Sequence, residues 1–275
     1  MKDEGIRQPP TSPVHPSPFT VHPLAPMIPR ICYLGDDHLG GAAAYLAGVM
    51  THYGLPYDYV PSNESPPASW TSPQRALYVV SDYPAARFQP GQMEQVAACV
   101  AEGSGLLMIG GWESFHGRLG EYHQSPLAAV LPVLMAAQDD RRNCAQPCLI
   151  QKLADHPILE GLPWDKPPGI GGFNQLRPKP GTTTLLAAVP FGVRRAGDRF
   201  EFRPGEPSPL LVVGQHGRGR CAALATDVAP HWVGGLVDWG DQRIVQDVAG
   251  GFIDVGNHYA RLLRNLLAWT GPVLG

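Results

Sequence analysis

The chain has 275 residues, enough for one large or two small domains, and its 44% hydrophobic and 16% charged content marks a folded globular protein. A net charge of -3 offers no electrostatic footprint for nucleic acid or for an anionic membrane, and no run reaches the roughly 18 apolar residues that a spanning helix requires. A small-molecule or protein partner is therefore favoured by default, with a small polar molecule the leading expectation and a homo-oligomer left open, and the lack of an apolar leader gives a cytoplasmic expectation.

Residues 1–27 hold seven prolines and no hydrophobic period, so they are expected as a disordered or extended tail. Met27 offers an alternative start. Residues 28–275 are expected as one α/β domain. A strand over residues 30–34 runs through Gly35-Asp36-Asp37-His38 into a helix over 41–53, the opening unit of a doubly wound sheet. Residues 57–60 form a second strand, and the proline-rich stretch 61–73 a surface loop. The run 76–81 is almost wholly apolar, as a parallel strand buried on both faces must be, and ends at Asp82-Tyr83-Pro84.

A helix over residues 90–102 carries Met93, Val96, Ala97 and Val100 on one face. It leads into a strand at 106–109 and the turn Gly110-Gly111, which presents Trp112, Glu113, Ser114 and His116. The order to this point is βαββαβ, one open α/β sheet with right-handed crossovers. A loop closing into a short apolar helix follows over 117–132. Residues 138–180 are rich in Pro and Gly, with a strand only at 147–152, and are expected as an insertion or lid. Strands at 182–189, 209–215 and 220–226 come next, the last two joined through His216-Gly217-Arg218-Gly219. An amphipathic helix over 256–270 closes the chain.

Of five cysteines, Cys32, Cys99 and Cys221 lie in apolar runs and read as buried small hydrophobes. Cys144 and Cys148 fall in a polar stretch, CAQPC, with no second ligand pair nearby, so no zinc site is expected.

Four segments, SDYP (81–84), GLLMIGGWESFHG (105–117), SPLAAVLPV (125–133) and GRGRCAALATDVAPHW (217–232), together resemble the class I glutamine amidotransferase-like superfamily. The likeness is closest to its putative glutamine amidotransferase group, related to ThuA-like proteins, and covers about residues 28–271. It implies a flavodoxin-like three-layer α/β/α sandwich with a mostly parallel sheet. Members of the superfamily use an elbow cysteine, a histidine and a glutamate two residues beyond it, with backbone amides holding the oxyanion. Here the elbow position falls on Gly110 or Gly111, the histidine on His231, and the glutamate position on Val233. The resemblance thus implies a degenerate triad.

Candidate chemistry gathers where strands end. His231 could act as a general base oriented by Asp227 or Asp238, against packing on Trp232. Glu113 could bind a hydroxyl or serve as an acid, against capping a helix. Ser114 lacks the glycine spacing of a nucleophile elbow and reads more plainly as a cap. Gly110 and Gly111 would let amides approach an anion, or simply allow tight packing. Asp36, Asp37, His38, Asp82, Asp227 and His231 could in principle supply metal ligands, but no spacing demands it, and turn-forming acids are the plainer account. No phosphate loop or dinucleotide fingerprint occurs, so no cofactor and no metal are expected.

The leading expectation is a ligand pocket made by Asp36, Asp82, Gly110, Gly111, Trp112, Glu113, Ser114, Asp227, His231 and Trp232, with hydrolysis through Glu113 or His231 open. The alternatives are a non-catalytic scaffold with Trp112, Trp232 and Trp239 at an interface, and an active amidotransferase using Cys144 or Cys148.

Overall fold

The computed structural model describes residues 30–70 and 75–271. The tail expected over residues 1–27 lies outside them. Five parallel strands form one half of the main sheet. The first four are β1 (Ile31–Gly35), β2 (Tyr57–Pro61), β3 (Leu77–Ser81) and β4 (Gly105–Ile109). Helices α1 (Ala43–His52) and α2 (Gln92–Glu102) connect β1 to β2 and β3 to β4. Every residue of β1, β3 and β4 is buried, which is what their unbroken apolar runs require of strands covered on both faces.

The chain then passes through α3 (Pro126–Val130), β5 (Val133–Leu134), β6 (Arg141–Lys152), β7 (Gly169–Asn174), β8 (Arg177–Pro178) and β9 (Thr183–Val189). A hairpin of β10 (Phe191–Ala196) and β11 (Arg199–Pro204) leads to β12 (Ser208–His216) and β13 (Gly219–Leu224). Helix α4 (Pro230–Val233), a second hairpin of β14 (Arg243–Val248) and β15 (Gly251–Gly256), and α5 (Asn257–Thr270) complete the fold.

The nine-stranded sheet runs β2-β1-β3-β4-β13-β12-β9-β6-β7. Pairings from β2 to β13 are parallel, and those from β13 to β7 antiparallel. The sheet is therefore mixed, with an antiparallel half as extensive as the parallel one. Residues 138–180, expected as an insertion or lid, instead supply β6 and β7 to that half. The expected hairpin between β12 and β13 is present: His216 pairs with Gly219, and Gly217 takes the left-handed φ of 57° that the tight turn needs. In α5, Tyr259, Leu262, Leu263, Leu266 and Leu267 are buried at helical spacing. No helix among the described residues is long and apolar enough to cross a membrane.

Candidate functional site

Strands β1, β3, β4 and β13 are consecutive neighbours and parallel, so their carboxyl ends share one edge of the sheet. The segments that leave that edge carry Asp36 after β1, Asp82 after β3, Gly110 to Ser114 after β4, and Asp227 after β13. Topology alone brings four acids, Asp36, Asp82, Glu113 and Asp227, to one end of the molecule.

Asp82 is the centre of this cluster. It is buried and sits at a φ of 48°, the left-handed region that aspartate tolerates better than most residues. Its amide donates to Ser114 Oγ at 2.9 Å, and its Oδ1 accepts the Glu113 amide at 2.8 Å. The Trp112 amide also donates to this carboxylate. The amides that follow the β4 elbow thus point at an anion, and that anion is the chain's own side chain. Burial, opposed by these amides and aided by Asp36, pushes the Asp82 carboxyl up to about 7.

The double glycine has a steric reason. A Cβ on Gly110 would lie 2.2 Å from the Ala225 carbonyl oxygen and 2.6 Å from Asn174 Oδ1, and one on Gly111 2.1 Å from Asp82 Oδ1. Glycine at both positions lets the β3 and β13 segments close over the end of β4. Of the two explanations expected from sequence, close packing against backbone accounts for Gly110, while Gly111 makes room for an anion, the Asp82 carboxylate.

Asp227 is fully enclosed. Its Oδ1 accepts the Val228 and Ala229 amides at 2.5 and 3.1 Å, while Oδ2 is buried and makes no hydrogen bond. His231 Nε2 lies 3.4 Å from that oxygen, within ion-pair reach when the imidazole is protonated. Burial and then the Asp82 charge hold Asp227 well above the usual carboxylate range. Burial lowers the His231 imidazole, partly offset by Asp36, and burial with Asp36 raises Glu113. The loop of Asp227 is tied to α5 by Tyr259, whose hydroxyl donates to the Val228 carbonyl at 2.8 Å. Asp238, the other expected partner of His231, pairs instead with Arg243 at 2.7 Å.

The remaining expected residues divide clearly. Trp112 is 42% exposed and carries the Arg141 guanidinium 4.4 Å above its ring, while the His231 side chain is 50% exposed, so these two form the open rim. Ser114 is completely buried and serves as the acceptor that fixes Asp82, which removes it from the ligand-facing set. Trp232 is also buried, with its ring over Gly172 and its Nε1 donating to Asn143 at 2.8 Å. Trp239 is buried and donates to the Lys166 carbonyl at 3.1 Å. A tryptophan interface thus loses two of its three expected members. His38 pairs with Asp37 on the surface, and no group of three or more His, Cys, Asp or Glu with metal-holding geometry occurs among the described residues.

Two polar residues of the site were not singled out from the sequence. Asn174, at the end of β7, donates to the Gly111 carbonyl at 3.2 Å and to Asp140 Oδ1 at 2.8 Å, and accepts the Gly111 amide at 2.9 Å. Asp140 accepts the His116 and Gly117 amides at 3.2 and 2.9 Å. Both are buried. The β6–β7 pair therefore folds back to clamp the loop after β4. The only trace in sequence is a polar residue closing the apolar run GIGGFN, too common a pattern to single out.

This is an α/β protein whose polar residues converge on the carboxyl edge of a parallel strand group inside a mixed sheet. The model of a family described as "Putative glutamine amidotransferase" matches residues 75–250, and the chain belongs to that family, within the class I glutamine amidotransferase-like superfamily. Two cytoplasmic proteins of Salmonella typhimurium are similar in structure. One is 22% identical, with a TM-score of 0.68 over 88% of this chain and 98% of that one, and the other 25% identical, with the same score over 88% and 99%. A ThuA-like protein of Bacteroides uniformis shares the fold at 13% identity, with a TM-score of 0.56 over 92% and 98%. No curated protein sequence matches the chain.

Proposed function

We propose that this is a cytoplasmic glutamine amidotransferase-like protein with a degenerate triad, built on a flavodoxin-like three-layer sandwich, that binds a small polar ligand at the Asp36, Asp82, Glu113, Asp227 and His231 cluster. The observation that carries the reading is Asp227 Oδ2, a buried carboxylate oxygen with no hydrogen bond, facing His231 at 3.4 Å. Buried polar atoms are almost always paired, and the exceptions concentrate where a ligand or a proton is handled. Burial pushes the Asp82 carboxyl up to about 7, and burial with the Asp82 charge holds Asp227 well above the usual carboxylate range, so these carboxyls keep protons at higher pH than free ones and can donate to a ligand. His231, reaching solvent, relays the proton, and Glu113 meets a ligand hydroxyl or amine. In a hydrolytic reaction, His231 or Glu113 would take the proton of the attacking water.

Several features argue against glutaminase chemistry. Glycine occupies positions 110 and 111, and the elbow amides that would steady an oxyanion are taken up by Asp82. The acid cluster offers the carboxylate of glutamine no cationic partner and favours a neutral, hydroxyl-rich or an amine ligand. An active enzyme using Cys144 or Cys148 has no support, since the cavity these sulfurs line, with Phe173 and Phe191, includes none of the acids above. The test is a thermal-shift screen of polyols and amines, followed by Asp227→Asn and His231→Ala. A native-state ligand raises the melting temperature of the wild type, and both variants lose that rise. Ammonia release from glutamine, or wild-type shifts that both variants retain, would overturn the reading.

A further inference from the structure

A second chemical feature lies on β6, apart from the acids. Strand β6 pairs with β7 through Asn143 opposite Gly172 and then Cys148 opposite Ile170, so five steps along β6 answer two along β7. The extra residues form an enlarged bulge, and a cysteine stands at each end of its excursion. The two sulfurs are 3.2 Å apart. Cys148 is buried and Cys144 half-buried, and both line a cavity of about 450 Å³ with Arg142, Gln146, Phe173 and Phe191. Cys32, Cys99 and Cys221 are buried elsewhere in the core.

We infer that Cys144 and Cys148 are a dithiol that small organic disulfides convert reversibly into an intramolecular disulfide. The geometry carries this: a disulfide needs its sulfurs about 2.05 Å apart, and these two sulfurs already stand in contact at 3.2 Å across the bulge. The cavity admits the oxidant, with an apolar floor from Phe173 and Phe191 and a cationic, hydrogen-bonding rim from Arg142 and Gln146, suited to a carboxylate-bearing peptide disulfide.

The steps balance as follows. The Cys144 thiolate attacks one sulfur of the oxidant, the oxidant's S–S bond breaks, and one thiolate leaves, taking up a proton. Cys148 then attacks the Cys144 sulfur of the mixed disulfide and expels the second thiolate. Two protein thiols are oxidised, one disulfide is reduced to two thiols, and excess small thiol reverses the sequence. The order of attack follows exposure. Burial, with the adjoining Cys144 thiol, pushes Cys148 up to about 12, and the second influence disappears once Cys144 is in the mixed disulfide.

The sequence makes the test direct, because trypsin cutting after Arg142 and Lys152 releases both cysteines in one peptide. The full chain is equilibrated in buffers of oxidised and reduced glutathione, quenched in acid, alkylated under denaturing conditions and digested. In oxidising buffer the peptide is expected two hydrogens lighter and free of alkyl groups, and in reducing buffer it carries two. Cys148→Ser halts at a glutathione adduct on Cys144, and Cys144→Ser leaves Cys148 fully alkylated. A wild-type peptide that keeps two alkyl groups in oxidising buffer, or stops at the adduct, would overturn the assignment, as would equal modification of the two variants. None of these results depends on the acid cluster, so this inference and the proposed function fail separately.

Discussion

The two halves of the main sheet differ in what they contribute to the site. The parallel half delivers acids: Asp36, Asp82, Glu113 and Asp227 all leave the same edge because β1, β3, β4 and β13 run in one direction. The antiparallel half delivers constraint. Asn174 from β7 and Asp140 at the head of β6 hold the loop after β4, and Arg141 covers Trp112. Clustered carboxylates repel one another and resist burial, so an edge that gathers them needs a second element to fix the backbone around them. The comparison predicts that changes at the junction of the halves cost stability, while changes at the rim cost little.

The largest effect is expected at that junction. Gly110→Ala drives a methyl group to within 2.2 Å of the Ala225 carbonyl, backbone that cannot swing aside. A loss of about 3 kcal/mol or more in urea denaturation is expected. A near-neutral result would mean that the β4 end has slack, and the steric account of the double glycine would fall. Asn174→Ala comes next. It strips the Gly111 amide of its acceptor and Asp140 of one donor inside a buried region, for an expected cost of about 2–3 kcal/mol. If Asn174→Ala unfolds like the wild type, the antiparallel half is not the clamp described.

How much of this was legible in sequence follows the same division. Strands β1, β3 and β4 announce themselves because burial on both faces demands continuous apolar runs, and Asp36, Asp82 and Glu113 follow directly from where those runs end. Strand β6 is mostly exposed, with only Cys148 and Ile150 fully buried, so its second half, residues 147–152, reads as a strand while RRNCAQ has neither a run nor a clean alternation. The exposed β10–β11 hairpin was missed for the same reason, and β14–β15 was missed although Ile253, Val255 and Gly256 of β15 are buried. Asp140 and Asn174 act through contacts between residues 34 apart, which no local pattern encodes. Ser114, on the loop after β4, and Trp232, in α4, both face inward, since sequence spacing locates a side chain along the chain without giving its direction.

A third test reads the charge of the acid cluster. Asp82 has a folded value of about 7 against 3.8 for the free group, so between those values the native state holds a proton that the unfolded chain has lost. Stability therefore falls as pH rises from about 4 through 7 and levels off above. From pH 5 to pH 8 the loss attributable to this group is about 2–3 kcal/mol. Asp82→Asn keeps an oxygen for the Glu113 amide and tolerates the left-handed backbone, so its stability should be flatter over the same range. Denaturation midpoints at several pH values decide it: parallel curves for variant and wild type would mean that the carboxyl is ionised throughout, and the account of Asp82 as a proton donor would go with it.

The smallest effect belongs to the rim and is informative because it is small. Arg141 lies over the Trp112 ring at 4.4 Å and is paired to Asp139 at 2.7 Å, so it ties the start of β6 to the exposed residue of the β4 loop. Cation–π contacts at such partly exposed positions contribute about 0.5–1 kcal/mol. Arg141→Lys keeps the charge but replaces the planar guanidinium with a compact ammonium, and Arg141→Ala removes both. The expected order of stability is wild type, then Lys, then Ala, spanning about 1 kcal/mol. Trp112 fluorescence should respond to both substitutions, most simply in a background where the other five tryptophans are unchanged. A loss as large as that of Asn174→Ala would make Arg141 part of the clamp, and the division between a constrained junction and a forgiving rim would have to be redrawn one residue further out.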